Sequence, residues 1–198
     1  MKVIGLTGPT GAGKTVVAQM MELPAVNADL VARQIHKDPQ VLAALCERFG
    51  SDIARDGVLN RTLLAARAFA TPHDTEDLNA IMHPRIVEQI QRDLAQLEQA
   101  GHALCVLDAP LLFEANCYQL CDTTVAVLAA RDVRKNRIVE RDGISGEMAQ
   151  RRIDAQHADD YYAGRCEFVI YNSGDIVELH AAAEETLQQI KEKFSIGG

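Results

Sequence analysis

The stretch from residue 8 to residue 15 reads Gly-Pro-Thr-Gly-Ala-Gly-Lys-Thr, and it constrains this chain more than any other segment. Lys2 to Thr7, just before it, is a short apolar run that reads as a buried strand. The residues from about Gly13 to Glu22, just after it, read as a helix. Strand, glycine-rich turn and helix together let successive backbone N–H groups point into one concavity, and the helix N-terminus adds positive partial charge there. Gly8, Gly11 and Gly13 allow the dihedrals and the close approach such a wrap needs. Lys14 brings a full positive charge, and the Thr15 hydroxyl is suited to ligate Mg²⁺. The segment matches G-x-x-x-x-G-K-[ST] in full and in the expected context, so it predicts a cradle for a nucleotide triphosphate.

The rest of the chain predicts the scaffold around that cradle. Pro24 to Val26 reads as a very short second strand, Ala103 to Leu107 as a third delivering Asp108, Thr123 to Leu128 as a fourth and Phe168 to Tyr171 as the last. Between the second and third strands the pattern is helical, broken at Pro39, Phe49-Gly50, Asp56-Gly57 and Pro72, with a further helix expected to open at His83-Pro84. Helices are also expected over Arg131–Arg141, over Ser145 to about Asp159, and from near Asp175, with Ser195 to Gly198 frayed at the end. On that last helix Ile176, Leu179, Ala183, Leu187, Ile190 and Phe194 share one face. Short apolar strands alternating with helices indicate a P-loop NTPase fold: α/β, three-layer α/β/α, with a parallel sheet, a helical substrate-binding insertion and a lid. All 198 residues are read as one domain, with a core at about 1–30, 100–136 and 166–198, an insertion at about 31–99 and a lid at about 137–165.

Composition narrows the function. The net charge of −8, the 5% aromatic content and the absence of Trp argue against nucleic acid as a partner, which asks for a basic face or stacking platforms. No segment has the length to cross a bilayer, and the N-terminus is too short for a signal-peptide apolar region, so no membrane partner is expected. Five cysteines without CxxC spacing point to reduced thiols and a cytoplasmic setting, with no zinc set in reach. A monomer or weak homo-oligomer is expected.

Several side chains are candidates for chemistry. Asp29 follows the second strand at the mouth of a helix. It can accept a hydroxyl proton and orient the oxygen for in-line attack, or it can cap the helix; position alone leaves both roles open. Asp108, at a strand end, can hold Mg²⁺ through water or serve a turn. Arg134, Arg137 and Arg141 are spaced for one helix face, followed by Arg151 and Arg152. They suit charge spread over phosphate oxygens, the other role being ion pairs on a solvated face. His83, before a proline at a helix start, reads as structural without further context.

Taken together, these segments resemble the dephospho-CoA kinase family over nearly the whole chain. The P-loop is followed by Asn27-Ala28-Asp29-Leu30-Val31-Ala32-Arg33, then by Phe49-Gly50, Asp56-Gly57, Leu59 with Arg61, and Leu78-Asn79 leading to His83-Pro84. Asp108-Ala109-Pro110-Leu111-Leu112-Phe113-Glu114 is the most specific match after the P-loop. Arg137 with Arg141-Asp142 and Gln156 is similar to the lid, and Asn172-Ser173-Gly174 to the segment near the adenine. The resemblance implies transfer of the ATP γ-phosphate to the ribose 3′-hydroxyl of dephospho-CoA, with ATP and Mg²⁺ as cofactors. It implies Asp29, Lys14 and Arg137 as catalytic residues, and Gly8, Thr10, Gly11, Ala12, Gly13, Lys14, Thr15, Val16, Arg141, Asn172 and Gly174 around the nucleotide. The acceptor would meet Asp29, Arg33, Arg61, His83, Pro110 and Leu111, and the metal Thr15 and Asp108. Three features depart from the pattern: Asn27 stands where an acid is usual, Pro9 replaces a common glycine, and the stretch from Thr15 to Asn27 is short. The rival readings are a nucleoside monophosphate kinase, which lacks support in Asp108-Ala109-Pro110-Leu111-Leu112, and a non-catalytic ATP-sensing module.

Overall fold

The computed structural model describes residues 1–197. The chain runs β1 (Lys2–Thr7), α1 (Lys14–Met20), β2 (Ala25–Asn27), α2 (Ala28–Ile35), α3 (Pro39–Phe49), β3 (Ala54–Arg55), β4 (Val58–Leu59), α4 (Arg61–Ala68) and α5 (Pro72–Gln99). It continues with β5 (Leu104–Asp108), β6 (Thr123–Leu128), α6 (Arg131–Asp142), α7 (Gly146–Asp154), α8 (Asp159–Ala163), β7 (Phe168–Tyr171) and α9 (Ile176–Lys193). Two compact units result, Met1–Val26 with the chain from Gln96 onward, and Asn27–Ala95.

The first unit is built on a five-stranded sheet in the order β2-β5-β1-β6-β7. The pairings of β1 with β5, β1 with β6 and β6 with β7 are parallel. Both faces are covered, so the strands read as continuous apolar runs. Ile4, Leu6, Val125, Val127 and Ile170 pack with Val17 of α1, Met21 just past its end, and Leu179, Ala183 and Ile190 of α9. Ala126 and Leu128, on the alternate positions, meet buried Tyr162 of α8. Ile176, expected on the apolar face of the last helix, is instead 61% exposed, as the first residue of α9, next to the Asp175 cap that accepts from the amides of Val177 and Glu178.

The second unit is helical with one small antiparallel pair, β3 with β4, which the sequence pattern did not predict. Its helices start where capping residues allow: Asn27 caps α2, Asp38 caps α3 and Asn60 caps α4, each through a backbone amide of the first turn. Thr71 and Asp74 exchange bonds at the start of α5, with Pro72 in the position where a missing N–H is harmless. No new helix opens at His83-Pro84: α5 runs unbroken from Pro72 to Gln99 with Pro84 inside it. One absent bond in a helix of 28 residues is offset by an apolar face that buries Met82, Ile90 and Leu94. The helix expected over Ser145 to Asp159 is two, α7 and α8, separated at Ala155 to Ala158.

Candidate active site

The loop after β1 has the shape its glycines permit. Gly8 adopts φ 138°, and a Cβ there would lie 2.1 Å from the Val127 carbonyl oxygen on β6. Gly13 adopts φ 96°, and its Cβ would meet the Asn172 side-chain nitrogen at 2.2 Å. Each position therefore excludes every other residue by backbone conformation and by contact. Inside the loop the Ala12 amide donates to the Pro9 carbonyl, and the amides of Val16 and Val17 donate to Gly13 to start α1. The Lys14 ammonium lies over the loop, donating to the carbonyls of Gly8 at 2.7 Å and Pro9 at 3.2 Å. Thr15 and Val16 in the first turn are exposed.

Residues far along the chain fasten this loop from outside. Asn172, only 5% exposed at the end of β7, donates its side-chain N–H to the Ala12 carbonyl at 2.8 Å. The Arg137 guanidinium donates to the Asn172 carbonyl at 3.0 Å, to the Asn172 side-chain oxygen at 3.2 Å and to the Gly11 carbonyl at 3.4 Å. Arg137 thus reaches the rim of the loop. Arg141 forms a two-pronged bond with its neighbour Asp142 at 2.7 and 3.0 Å, which raises the Arg141 pKa and lowers that of Asp142. Arg134 does not join them on an open face. It is 2% exposed, its backbone abuts Gly11, and its guanidinium stands 3.6 Å from Asp159, with burial lowering its pKa. Gly174 is exposed at the start of the α9 loop, where Ser173 accepts from the Ala130 amide.

Asp108 is buried at the end of β5, in register with Leu6 of β1, so it sits one strand over from the strand that carries the loop. The Ala109 amide donates to the Leu6 carbonyl, and the Thr7 hydroxyl donates to the Pro110 carbonyl at 3.2 Å, which holds the segment after Asp108 against the loop strand. Leu111 is 58% exposed beyond it. Among the described residues no group of three or more His, Cys, Asp or Glu side chains is arranged to hold a metal ion. A hydroxyl and a single buried carboxylate are the kind of donor set that suits a magnesium ion carried mainly by phosphates and water.

In the helical unit, the structure settles what Asp29 does not do. The cap of α2 is Asn27, whose side-chain oxygen accepts from the Leu30 amide at 2.9 Å. Asp29 sits in the first turn with its carboxylate exposed, and the positive end of the helix lies beside it. Arg33 follows one turn later on the same helix, exposed, and Arg61 is exposed at the start of α4. His83 is half-buried on α5, and burial lowers its pKa. His36, at the end of α2, was not among the predicted residues; burial and the nearby Arg61 charge both lower its pKa. The preference of asparagine for N-caps was the signal that would have assigned Asn27. No local pattern pointed to His36.

The comparisons agree with this geometry. The dephospho-CoA kinase (CoaE) family model matches residues 2–178. A dephospho-CoA kinase of Anaeromyxobacter dehalogenans is 37% identical over 196 residues, covering 96% of this chain and 93% of that protein. One from Corynebacterium glutamicum is 40% identical over 192 residues, covering 94% and 96%. A solved Thermus thermophilus structure superposes with a TM-score of 0.82 at 28% identity, covering 96% of this chain and 97% of that one.

Proposed function

The chain belongs to the dephospho-CoA kinase family, and from that premise we propose how its residues carry the transfer of a phosphoryl group from ATP to dephospho-CoA. The observation that carries it is the division of labour at α2, where Asn27 caps the helix and leaves the Asp29 carboxylate unengaged in capping. Asp29 accepts the proton of the ribose 3′-hydroxyl as that oxygen attacks the γ-phosphorus, and ADP leaves with the electron pair of the broken P–O bond. The loop amides not engaged within the protein and the Lys14 ammonium hold the triphosphate, and Lys14 exchanges its carbonyl partners for phosphate oxygens. Arg137, fixed at the rim by Asn172, supplies a guanidinium charge beside the transferring group, and Arg141 exchanges Asp142 for phosphate. Asn172 and Gly174 border the adenine. Arg33, Arg61, His83, Pro110 and Leu111 contact the acceptor.

Mg²⁺ fits the site through the Thr15 hydroxyl and, across water, Asp108; when bound it neutralises charge on the phosphates. The thiols bear on location. All five cysteines are free, and burial pushes Cys105 and Cys166 up to about 11 and Cys121 to about 12. Among the described residues no helix is long and apolar enough to cross a membrane. We place the protein in the cytoplasm as a monomer or weak homo-oligomer, without nucleic-acid or membrane partners. The deciding assay measures ATP consumption with dephospho-CoA, AMP, CMP and adenosine as acceptors. Dephospho-CoA alone should drive rapid turnover, and comparable turnover with AMP or CMP would transfer the assignment to the monophosphate kinases.

A further inference from the structure

The side-chain bonds described from Lys14, Arg137 and Asn172 to the nucleotide loop end on carbonyl oxygens. One contact has the opposite polarity. The Thr10 amide, third in the loop, donates to the side-chain oxygen of Gln156 at 2.8 Å, across 146 residues of sequence. Gln156 lies just past α7, its own amide closing that helix by donating to the Ile153 carbonyl. The next residue, His157, is held in turn: its ring stacks on Tyr161 at 3.7 Å between centroids and stands 3.4 Å from the Glu114 carboxylate. The backbone at Gln156 is therefore anchored on both sides, so the side chain is presented to the loop at low entropic cost.

We propose that Gln156 is a positioning residue for ATP: its side-chain oxygen fixes the Thr10 peptide, and so ties the segment after α7 to the phosphate cradle. The inference rests on the ATP-binding part of the reading above. The chemistry of the side chain explains the choice. Thr10 offers an N–H, so its partner must be an acceptor, which excludes Lys and Arg. A carboxylate would accept as well, but it would set a negative charge beside a triphosphate. A carboxamide accepts the bond and carries no charge. With the bond in place the loop meets ATP already shaped; without it, part of the binding free energy goes into ordering the Thr10 peptide.

The test uses the full-length protein with Gln156→Met and Gln156→Glu. Gln156→Met keeps the volume and loses the acceptor. It should raise KM for ATP about tenfold, with kcat and KM for dephospho-CoA within about twofold of the parent. In the nucleotide-free protein the Thr10 amide should exchange with solvent slowly in the parent and in Gln156→Glu, and fast in Gln156→Met. Gln156→Glu should still raise KM for ATP, through charge. Unchanged KM and unchanged Thr10 exchange in Gln156→Met would overturn the proposal, and so would a lower KM, which would make Gln156 a plug in the cradle. Should Gln156→Met fail to fold, the Glu variant decides: raised KM with a protected Thr10 amide supports the proposal, and an unprotected amide overturns it. Calorimetric titration with ATP alone separates this from the functional reading. A parent that binds ATP but does not phosphorylate dephospho-CoA refutes the latter only.

Discussion

Around the phosphate cradle the working groups are mostly backbone, and side chains from distant parts of the chain hold that backbone still. Gly8 and Gly13 press against β6 and Asn172, and Arg137 and Gln156 fasten the loop from positions more than a hundred residues away. In the helical unit the arrangement is reversed. Asp29, Arg33 and Arg61 are exposed side chains displayed at helix termini whose backbone is satisfied by ordinary caps. A triphosphate presents the same oxygens to every kinase, so its site can be built from invariant peptide groups. An acceptor must be distinguished from its competitors, a task that suits side chains rather than peptide groups, and in the proposed reading those of the helical unit take it on.

The contrast can be broken from either side. Asp29→Asn should produce the largest effect, a loss of kcat of about a thousandfold, with the ATP dissociation constant unchanged by calorimetry. Near-parental turnover would remove Asp29 from the chemistry. Gly8→Ala should do the reverse. Its Cβ would fall 2.1 Å from the Val127 carbonyl, so ATP binding should vanish and stability should fall by about 2–4 kcal/mol in urea titration. Asn172→Ala leaves the Ala12 carbonyl without its buried donor and releases Arg137; it should cost about 1–3 kcal/mol in the same assay and weaken ATP binding.

The two units should also part company in mild acid. His36 and His83 both lie in the helical unit, and burial holds both below the ordinary histidine value of 6.5. The unfolded chain therefore binds more protons than the folded one as pH falls through that value. The stability they contribute is complete above about pH 6.5 and is lost progressively below it. Amide protection factors at residues 27–95, taken relative to the intrinsic exchange rate at each pH, should fall as pH drops below about 6.5, ahead of the sheet, and His36→Gln with His83→Gln should flatten that response. The smallest effect concerns the ion pairs of the helical unit. Arg48 bonds Asp74 and Asp77 at the surface, and Arg48→Ala should barely move the melting temperature, because exposed pairs are well screened.

How legible these features were depends on whether a residue's partner lies nearby in the chain. The strands Lys2–Thr7, Thr123–Leu128 and Phe168–Tyr171 match their predicted bounds end to end, because their interiors are apolar and the polar residues, Lys2, Thr7, Thr123 and Thr124, stand at their ends. The cradle was legible for a similar reason: loop geometry is written in consecutive residues. Pro84 was misleading, since proline signals a helix break and only the burial of Met82 and Ile90 overrules it. Two-residue strands such as β3 and β4 carry too little pattern to register. Arg134 had the spacing of a ligand-facing arginine, and only tertiary packing sends it into the interior. The bond from Thr10 to Gln156 joins two residues that nothing in sequence relates.

The central place of β1 has a consequence for how the chain is made. This strand precedes both of its neighbours in the chain, since β5 and β6 begin only at Leu104 and Thr123. The nucleotide loop therefore cannot take its final form until β6 has been synthesised, whereas the helices of residues 27–95 find their partners locally and early. A nascent chain stalled before β6 would display the helices of residues 27–95 without a formed cradle, and synthesis through Asn172, the last of the side chains that fasten the loop, should govern when the chain first becomes able to hold ATP.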